Sequence, residues 1–312
     1  DVYKRQRQMH AIPESRGAPE SGNPVMTGRE PVPNRPDRVS QHYGRSDLLR
    51  RIREGADRLG KTPESLSLGD LAPVDEFHIG GSLATDAFLE GLGIRADDHV
   101  LDIGCGLGGS SRFAAATYGC RVTGLDLTAE YVETGRTLSS WVGLEDRVDL
   151  VHGNALAMGF SPGTFDKAFM LHVGMNIADK RALAAEVWRV LKPGGELGIY
   201  DVMRTGPCEL TFPVPWAGEG SSSFVASPAE YRVAVEEAGF EVVHERDQSA
   251  FAATFFDDLK AAASRHEGPP PLGLHILMGE DAPLKVTNMI ENVAEGRVAP
   301  FELRAIKGRE SD

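Results

Sequence analysis

VLDIGCGLGGSSR, residues 100–112, decides the fold, because an apolar run passes directly into a turn with four glycines. The run indicates a short buried strand, and the residues from Gly109 onward indicate the start of a helix. Glycine permits positive φ and lets a ligand approach the backbone closely. The first turn of the helix would present unpaired N–H groups to that ligand. The stretch therefore predicts a strand, a ligand-binding turn and a helix.

The same alternation of apolar strands and amphipathic helices continues on both sides of this stretch. It predicts an α/β fold with a doubly wound, Rossmann-like, mostly parallel seven-stranded sheet covered by helices on both faces. Such sheets bind ligands at the carboxyl ends of their central strands. Strands are predicted at 99–103, 121–125, 148–151, 165–171, 196–202, 241–245 and 301–306, and helices at 47–59, 80–94, 109–118, 128–142, 178–191 and 228–238.

Composition divides the chain into three parts. Residues 1–38 contain six prolines and no apolar periodicity, so we expect a disordered leader. Residues 39–95 are expected to form an N-terminal helical cap. The α/β domain would then occupy 96–312, with C-terminal lid elements within 204–226 and 248–295.

Charge and cysteine usage exclude several classes of protein. The 33 basic and 46 acidic side chains give a net charge of −13, which disfavours nucleic acid as a partner. Three cysteines without a CxxC pair predict neither a disulfide framework nor a zinc site, and they suit a reducing cytoplasm. No apolar run reaches the roughly 18 residues of a membrane span. We therefore expect a cytoplasmic protein with a small-molecule partner and no metal.

Two acidic residues near the glycine turn restrict the chemical class of the ligand. Asp126, in VTGLD, lies 22 positions after Gly104, close to the spacing at which a carboxylate accepts hydrogen bonds from ribose hydroxyls. Asp102, just before the glycine turn, would place a negative charge beside the phosphates of a dinucleotide. It suits an amino group or a sulfonium better. A nucleotide-dependent oxidoreductase stays open as an alternative.

Four segments in order, VLDIGCGLGG, GLD, GNALAMGF and LKPGGELGIYD within residues 99–203, resemble the motif series of class I S-adenosylmethionine-dependent methyltransferases. The resemblance implies S-adenosylmethionine as cofactor, with Asn154 standing where many members carry Asp. It implies that Asp102, Gly104, Gly106 and Gly109 surround the methionine portion, that Asp126 holds the ribose, that Asn154 and Ala155 lie by the adenine, and that Cys105 and Leu127 belong to the same binding set.

Segments outside that core resemble a narrower branch, which contains sarcosine/dimethylglycine N-methyltransferases and many enzymes with other small acceptors. The branch implies methyl transfer to a small molecule, with an amine such as sarcosine or dimethylglycine as the first expectation. The alternatives are C- or O-methylation of a larger apolar acceptor, of quinol or prenyl type, and an inactive cofactor-binding module. The segments are HYGRSDLLRRI (42–52), LAPVDEFHIGGSLAT (71–85), MLHVGMNIADK (170–180) and residues 272–307.

Four residues are candidates for acceptor chemistry. His172 follows the fourth strand, where an imidazole could take a proton from an amine or hydroxyl, or could instead orient the loop. His78 is expected to hold the N-terminal segment across the cofactor, and Tyr43 to close the same lid. Arg204, just past the fifth strand, could pair with an acceptor carboxylate, or lie on the surface.

Overall fold

A seven-stranded sheet forms the centre of the structure, a computed structural model that describes residues 47–264 and 268–308. Its strands are β1 His99–Ile103, β2 Arg121–Asp126, β3 Val148–His152, β4 Phe165–Leu171, β5 Leu191–Arg204, β6 Phe240–Asp247 and β7 Val298–Lys307. Their order is β3-β2-β1-β4-β5-β7-β6. Neighbours from β3 to β5 pair in parallel, whereas β7 is antiparallel to both β5 and β6. The predicted Rossmann-like, mostly parallel sheet is confirmed.

The position of β1 explains where a ligand can bind. β1 pairs with β2 on one side and with β4 on the other, so the chain crosses from the outer strand β3 back to the centre of the sheet. The connections after β1 and β4 therefore leave in opposite directions. A crevice opens between them at the carboxyl ends of the strands, as is general for doubly wound sheets.

Helices cover both faces of the sheet. Alternate residues of β1 and β4 enter opposite cores, since Val100 and Phe169 belong to one buried cluster and Leu101 and Met170 to the other. This period of two is what a strand buried on both faces requires. The helices are α1 Leu48–Arg58, α2 Leu68–Asp75, α3 Gly81–Leu92, α4 Gly109–Tyr118, α5 Ala129–Trp141, α6 Lys180–Val190, α7 Pro228–Glu237, α8 Ser249–Ala263, α9 His275–Met278 and α10 Ala282–Ala294.

One helix start and one turn that the sequence predicted can be located in the structure. Ser227 begins α7 as a capping box, in which its Oγ accepts from the Glu230 N–H at 3.3 Å and the Glu230 carboxylate accepts from the Ser227 N–H at 2.7 Å. The predicted turn at 192–195 lies inside β5. Leu191 pairs with Phe165 and Glu196 with Lys167, so the residues between them form an irregularity, with Gly194 at φ 78°.

Part of the predicted organisation lies outside the described residues. The leader over 1–38 and Tyr43 belong to that part. The extents of the cap, 39–95, and of the domain, 96–312, stay predictions. In the described part of the chain, no helix is long and apolar enough to cross a membrane.

Candidate active site

A cavity of about 1120 Å³, including its open mouth, lies at the carboxyl ends of β1 to β4. It brings together most of the residues that the sequence singled out. Gly109 and Arg204 are not among its lining residues. The predicted residues that line it are Asp102, Gly104, Cys105, Gly106, Asp126, Leu127, Asn154 and Ala155, together with His78 and His172.

The glycine turn after β1 exposes its backbone to the cavity at one point. Gly104 and Gly106 have φ of 71° and 54°, in the left-handed region that glycine adopts without strain. A Cβ on Gly104 would collide with Val173, whereas a Cβ on Gly106 would meet no atom within 4 Å. Gly106 is therefore the position where a ligand can approach the main chain.

The Asp126 carboxylate at the end of β2 is anchored by two backbone groups. Its Oδ2 accepts from the Gly106 N–H at 2.9 Å, and its Oδ1 accepts from the Thr128 N–H at 2.8 Å. A carboxylate has about four acceptor sites, so each oxygen can still accept from a ligand hydroxyl. Burial raises the pKa of Asp126, against these two hydrogen bonds. A fixed acceptor pair at this strand end can bind a diol.

Asp102 lies deeper, beneath the same cavity. Its side chain is buried and accepts from the Ser111 hydroxyl at 2.6 Å. Burial raises its pKa to about 7, and the charge of Asp126 adds to that shift. A cationic ligand above it would favour its ionised form. This arrangement agrees with the expected amino or sulfonium group.

Three predicted residues differ in their surroundings. Asn154 lines the cavity, and its Oδ1 accepts from the Leu156 N–H at 2.9 Å, which leaves its amide N–H₂ available. A Cβ on Gly109 would overlap the backbone of Asp75, so this glycine lets α2 pack closely on α4. Arg204 donates to the Cys208 carbonyl at 3.2 Å in an exposed contact, away from the cavity.

Sequence reasoning missed a buried polar network under the cavity wall. Arg112 of α4 is fully buried and pairs with Asp75, the last residue of α2. Glu76 accepts from Thr85 Oγ1 at 2.7 Å and from Ser110 Oγ at 3.2 Å. Burial raises the pKa of Glu76 to about 8, and the Asp75 charge adds to the shift. The adjacent acids before FHIGG were the available signal, but their partner on α4 is 37 residues away.

His78 and His172 hold the segment between α2 and α3 against the sheet. His78 is buried, and its Nε2 lies 3.0 Å from the Gly81 carbonyl and 3.0 Å from Thr85 Oγ1. Burial lowers its pKa to about 4. His172 reaches the neighbouring residue, since its Nδ1 accepts from the Ile79 N–H at 3.4 Å. Tyr200 of β5 donates to the Ile79 carbonyl at 3.0 Å, so both peptide groups of Ile79 are bound. We call this arrangement the Ile79 latch.

A second buried cluster supports the loop after β4. Lys180 donates to the Phe224 carbonyl at 2.9 Å and to the Ile177 carbonyl, and Tyr231 donates to Asp201. Burial lowers the pKa of Lys180 to about 8 and raises that of Asp201 to about 6. Gly174 packs so closely on this cluster that a Cβ would overlap Tyr231 and Asp201. The cluster therefore fixes the loop that carries His172.

Apolar residues of the C-terminal region lie near the open side of the site. Leu277 of α9 lines the cavity, and Phe77 lines it from the segment after α2. Trp216 is buried in a cluster with α8 and α10, where its indole N–H donates to Ser223 Oγ at 2.9 Å. The predicted lid region thus supplies apolar surface to the cavity through α9.

The sequence and the fold of this chain resemble those of known proteins. Residues 100–195 match a family model described as a methyltransferase domain. A sterol 24-C-methyltransferase of Eremothecium gossypii is 37% identical over 121 residues, which cover 39% of this chain and 32% of that protein. Methyltransferase GfsG of Streptomyces halstedii is 27% identical over 215 residues, or 68% of this chain and 75% of that one.

Solved structures extend the likeness of fold over most of the chain. Geranyl diphosphate C-methyltransferase from Streptomyces coelicolor A3(2), solved with S-adenosyl-L-homocysteine, has a TM-score of 0.63 at 19% identity, covering 89% of this chain and 100% of that one. By contrast, the chain spans less than half the length of the first curated relatives that it matches.

Proposed function

We propose that this chain, which contains a class I S-adenosylmethionine-dependent methyltransferase domain, transfers a methyl group from S-adenosylmethionine to a small-molecule acceptor. One observation carries the proposal. Along one cavity, an open glycine turn, an anchored carboxylate and an amide follow three successive strands, at Gly106, Asp126 and Asn154. The order of these groups suits the methionine, ribose and adenine parts of the cofactor.

The residues present fit that cofactor. The open position at Gly106 admits an atom close to the backbone, and Asp126 offers two fixed acceptor oxygens to a ribose diol. Asn154 has an amide that can donate to an adenine nitrogen. Asp102 supplies negative charge under the end that would hold the sulfonium and the amino group.

S-adenosylmethionine supplies a methyl group that is already electrophilic, so transfer depends on alignment more than on activation. The chain provides that alignment by preorganisation. Asp126 is held by two N–H groups before any ligand binds, and the loop after β4 is fixed from below by Lys180. Orientation of this kind can supply effective molarities of order 10⁵–10⁸ M. Phe77 and Leu277 add apolar surface to the wall of the cavity.

The charges around the cavity support an acceptor that adds no anionic group to the methionine carboxylate of the cofactor. Asp75, Asp102 and Asp126 line it, and no Lys or Arg does so among the residues that the structure describes. A buried carboxylate without a partner would be costly, and Arg204 lies elsewhere. We therefore favour the apolar acceptor over an amino acid such as sarcosine. An amine without a carboxylate stays compatible with the site.

The proposed compartment is the cytoplasm. Cys105, Cys120 and Cys208 are all free thiols, and two of them are buried. Unpaired cysteines of this kind suit a reducing environment.

The cofactor part of the proposal is tested by calorimetry with S-adenosylmethionine on Asp126→Asn. Loss of the charge that accepts from two ribose hydroxyls should weaken binding about ten- to a hundredfold. Asp149→Asn, an exposed carboxylate on β3, makes the same charge change away from the cavity and should leave binding unaltered. If a folded Asp126→Asn variant bound S-adenosylmethionine as tightly as wild type does, Asp126 would not belong to the cofactor site.

The acceptor part of the proposal is tested by measuring the transfer of a labelled methyl group to three kinds of acceptor. Sarcosine and dimethylglycine represent the amino acids, 1-naphthylamine a neutral amine, and 1-naphthol and a quinol the apolar hydroxyl acceptors. We expect label on an apolar probe and none on the amino acids. Turnover of sarcosine or dimethylglycine alone would restore the amine interpretation.

A further inference from the structure

The two ring nitrogens of His172 differ in their surroundings. Nδ1 faces a hydrogen-bond donor, whereas Nε2 has no hydrogen-bond partner among the described residues. The Ile79 N–H can only donate, so the Nδ1 atom that it faces at 3.4 Å must present a lone pair. A neutral imidazole holds one proton, which therefore lies on Nε2. His172 is also the one residue other than glycine with positive φ, at 53°, among the residues that the structure describes. Its ring stacks on Tyr200 with centroids 5.2 Å apart.

This arrangement opposes the role of proton acceptor that the sequence suggested. Nε2 already holds a proton, and Nδ1 is occupied by the Ile79 N–H. A second proton on Nδ1 would set two N–H donors against each other and break the Ile79 latch. The two rings that face His172 supply no negative charge to an imidazolium, since His78 lies edge-on at 5.8 Å and Tyr200 stacks on it as a neutral phenol. Burial, and next His78, keep the pKa of His172 well below its usual range.

The Nε2–H is an unsatisfied donor beside the cavity. Nε2 is buried and has no hydrogen-bond partner among the described residues, although His172 lines the cavity. Buried N–H groups are nearly always paired with protein, water or ligand. Left-handed backbone at a non-glycine residue also concentrates at functional sites. Both observations point to a ligand atom as the missing partner.

We propose that His172 acts as a neutral hydrogen-bond donor, through Nε2–H, to an oxygen atom of a ligand bound in this cavity, rather than as a general base. The inference rests on the proposed function, which supplies two ligands with such an oxygen. One is the acceptor, through a hydroxyl or carbonyl group, and the other is the cofactor, through its methionine carboxylate.

Two substitutions distinguish the role of Nδ1 from that of Nε2. His172→Asn places an amide oxygen near Nδ1, where it can accept from Ile79, but lacks a donor at Nε2. Asn also tolerates left-handed backbone better than most residues. His172→Gln reaches the Nε2 position with an amide N–H but loses the acceptor for Ile79. His244→Asn, on β6 and away from the cavity, is the matched control.

We expect His172→Asn to keep the melting temperature and to lose about tenfold in one of two quantities, the affinity for S-adenosylmethionine or the kinetic constants for 1-naphthol. His172→Gln should have a lower melting temperature, yet the quantity that His172→Asn loses should stay within about threefold of wild type. A loss of cofactor affinity by calorimetry identifies the methionine carboxylate. A loss in kcat or KM for 1-naphthol, at unchanged cofactor affinity, identifies the acceptor. The proposal is wrong if neither quantity changes in His172→Asn, or if both variants lose equally.

The tautomer is measured directly by ¹⁵N NMR of the full chain labelled at histidine. We expect a neutral His172 ring with its proton on Nε2 at pH 7. A proton on Nδ1, or an imidazolium at pH 7, would overturn the proposal. If wild-type protein binds S-adenosylmethionine but methylates no probe, the acceptor part of the proposed function fails, and the ¹⁵N spectrum and the cofactor affinities still decide the role of His172.

Discussion

Gly106 shows how one position can be tested for function separately from stability. It has φ of 54° and free space where a Cβ would lie, and the exposed Gly143 has φ of 68° and equally free space. Alanine in left-handed conformation costs about 1–2 kcal/mol at either site. Only Gly106 borders the cavity, so Gly106→Ala should lower S-adenosylmethionine affinity by about tenfold or more, whereas Gly143→Ala should not. Calorimetry and urea unfolding of both variants check this. Equal affinities would place the cofactor away from the turn.

Residues whose role follows from a strand end were predictable from the sequence. Asp126 needs only its own strand and the preceding glycine turn to reach the cavity, and both are local patterns. The protonation of His172 was not predictable, because it depends on the Ile79 N–H, 93 residues away, and on Tyr200 in another strand. For Arg204 the sequence left two alternatives open, an acceptor contact or a surface position. Its position past β5 looked suitable, but its side chain bonds locally to Cys208.

At the scale of elements, the Ile79 latch joins the segment before α3 to the ends of β4 and β5. Tyr200→Phe removes the donor to the Ile79 carbonyl while keeping the ring that stacks on His172. We expect a loss of about 1 kcal/mol in unfolding free energy. The amides around Ile79 and Gly81 should exchange faster, with little change in the central strands. Hydrogen exchange measures this, and Tyr118→Phe on α4 is the control. Unchanged exchange near Ile79 would show that the Tyr200 hydroxyl does not hold the segment.

Helix α2 shows why some elements could not be predicted from the sequence. It contains Pro73 in its interior, and its capping pair, Ser67 and Asp70, precedes only eight residues. Proline inside a segment of eight residues indicates a loop more often than a helix. Tertiary contacts override that preference here, because Asp75 at the end of α2 pairs with the buried Arg112. Such a helix depends on α4 and cannot be recognised from its own residues.

At the scale of the whole molecule, the class of the fold followed from the sequence because parallel strands with helical connections leave few topologies. The strand order, with β7 between β5 and β6, was not predicted. The class I methyltransferase resemblance is confirmed by the methyltransferase-domain family model that matches residues 100–195. The buried polar layer between the cap helices and α4 could not be predicted. Each of its members looks like an ordinary surface residue until packing brings Glu76, Thr85 and Ser110 together.

That buried layer predicts how the stability of the whole molecule depends on pH. The pKa of Glu76 is raised to about 8 and that of Asp102 to about 7, so the folded state retains protons that the unfolded state releases near pH 4. Their stabilising contribution is complete at low pH and is lost as pH rises through these values. Below about pH 6.5 the buried His78 and His172, whose pKa values are lowered, act in the opposite direction. Above about pH 8 the lowered pKa of Lys180 does so too.

Between pH 6.5 and 8 the buried acids should therefore dominate, and Asp75 and Asp126, whose pKa values are also raised, act in the same direction as Glu76 and Asp102. We expect the unfolding free energy to fall over this interval, with roughly 1–2 kcal/mol of the fall due to Glu76. Glu76→Gln is uncharged and can still accept from Thr85 and Ser110. Urea unfolding at several pH values should show a shallower fall for this variant, while the exposed Glu291→Gln keeps the wild-type slope. A Glu76→Gln slope equal to that of wild type would mean that Glu76 is already ionised at neutral pH, because an ionised carboxylate in the folded state releases no proton on unfolding.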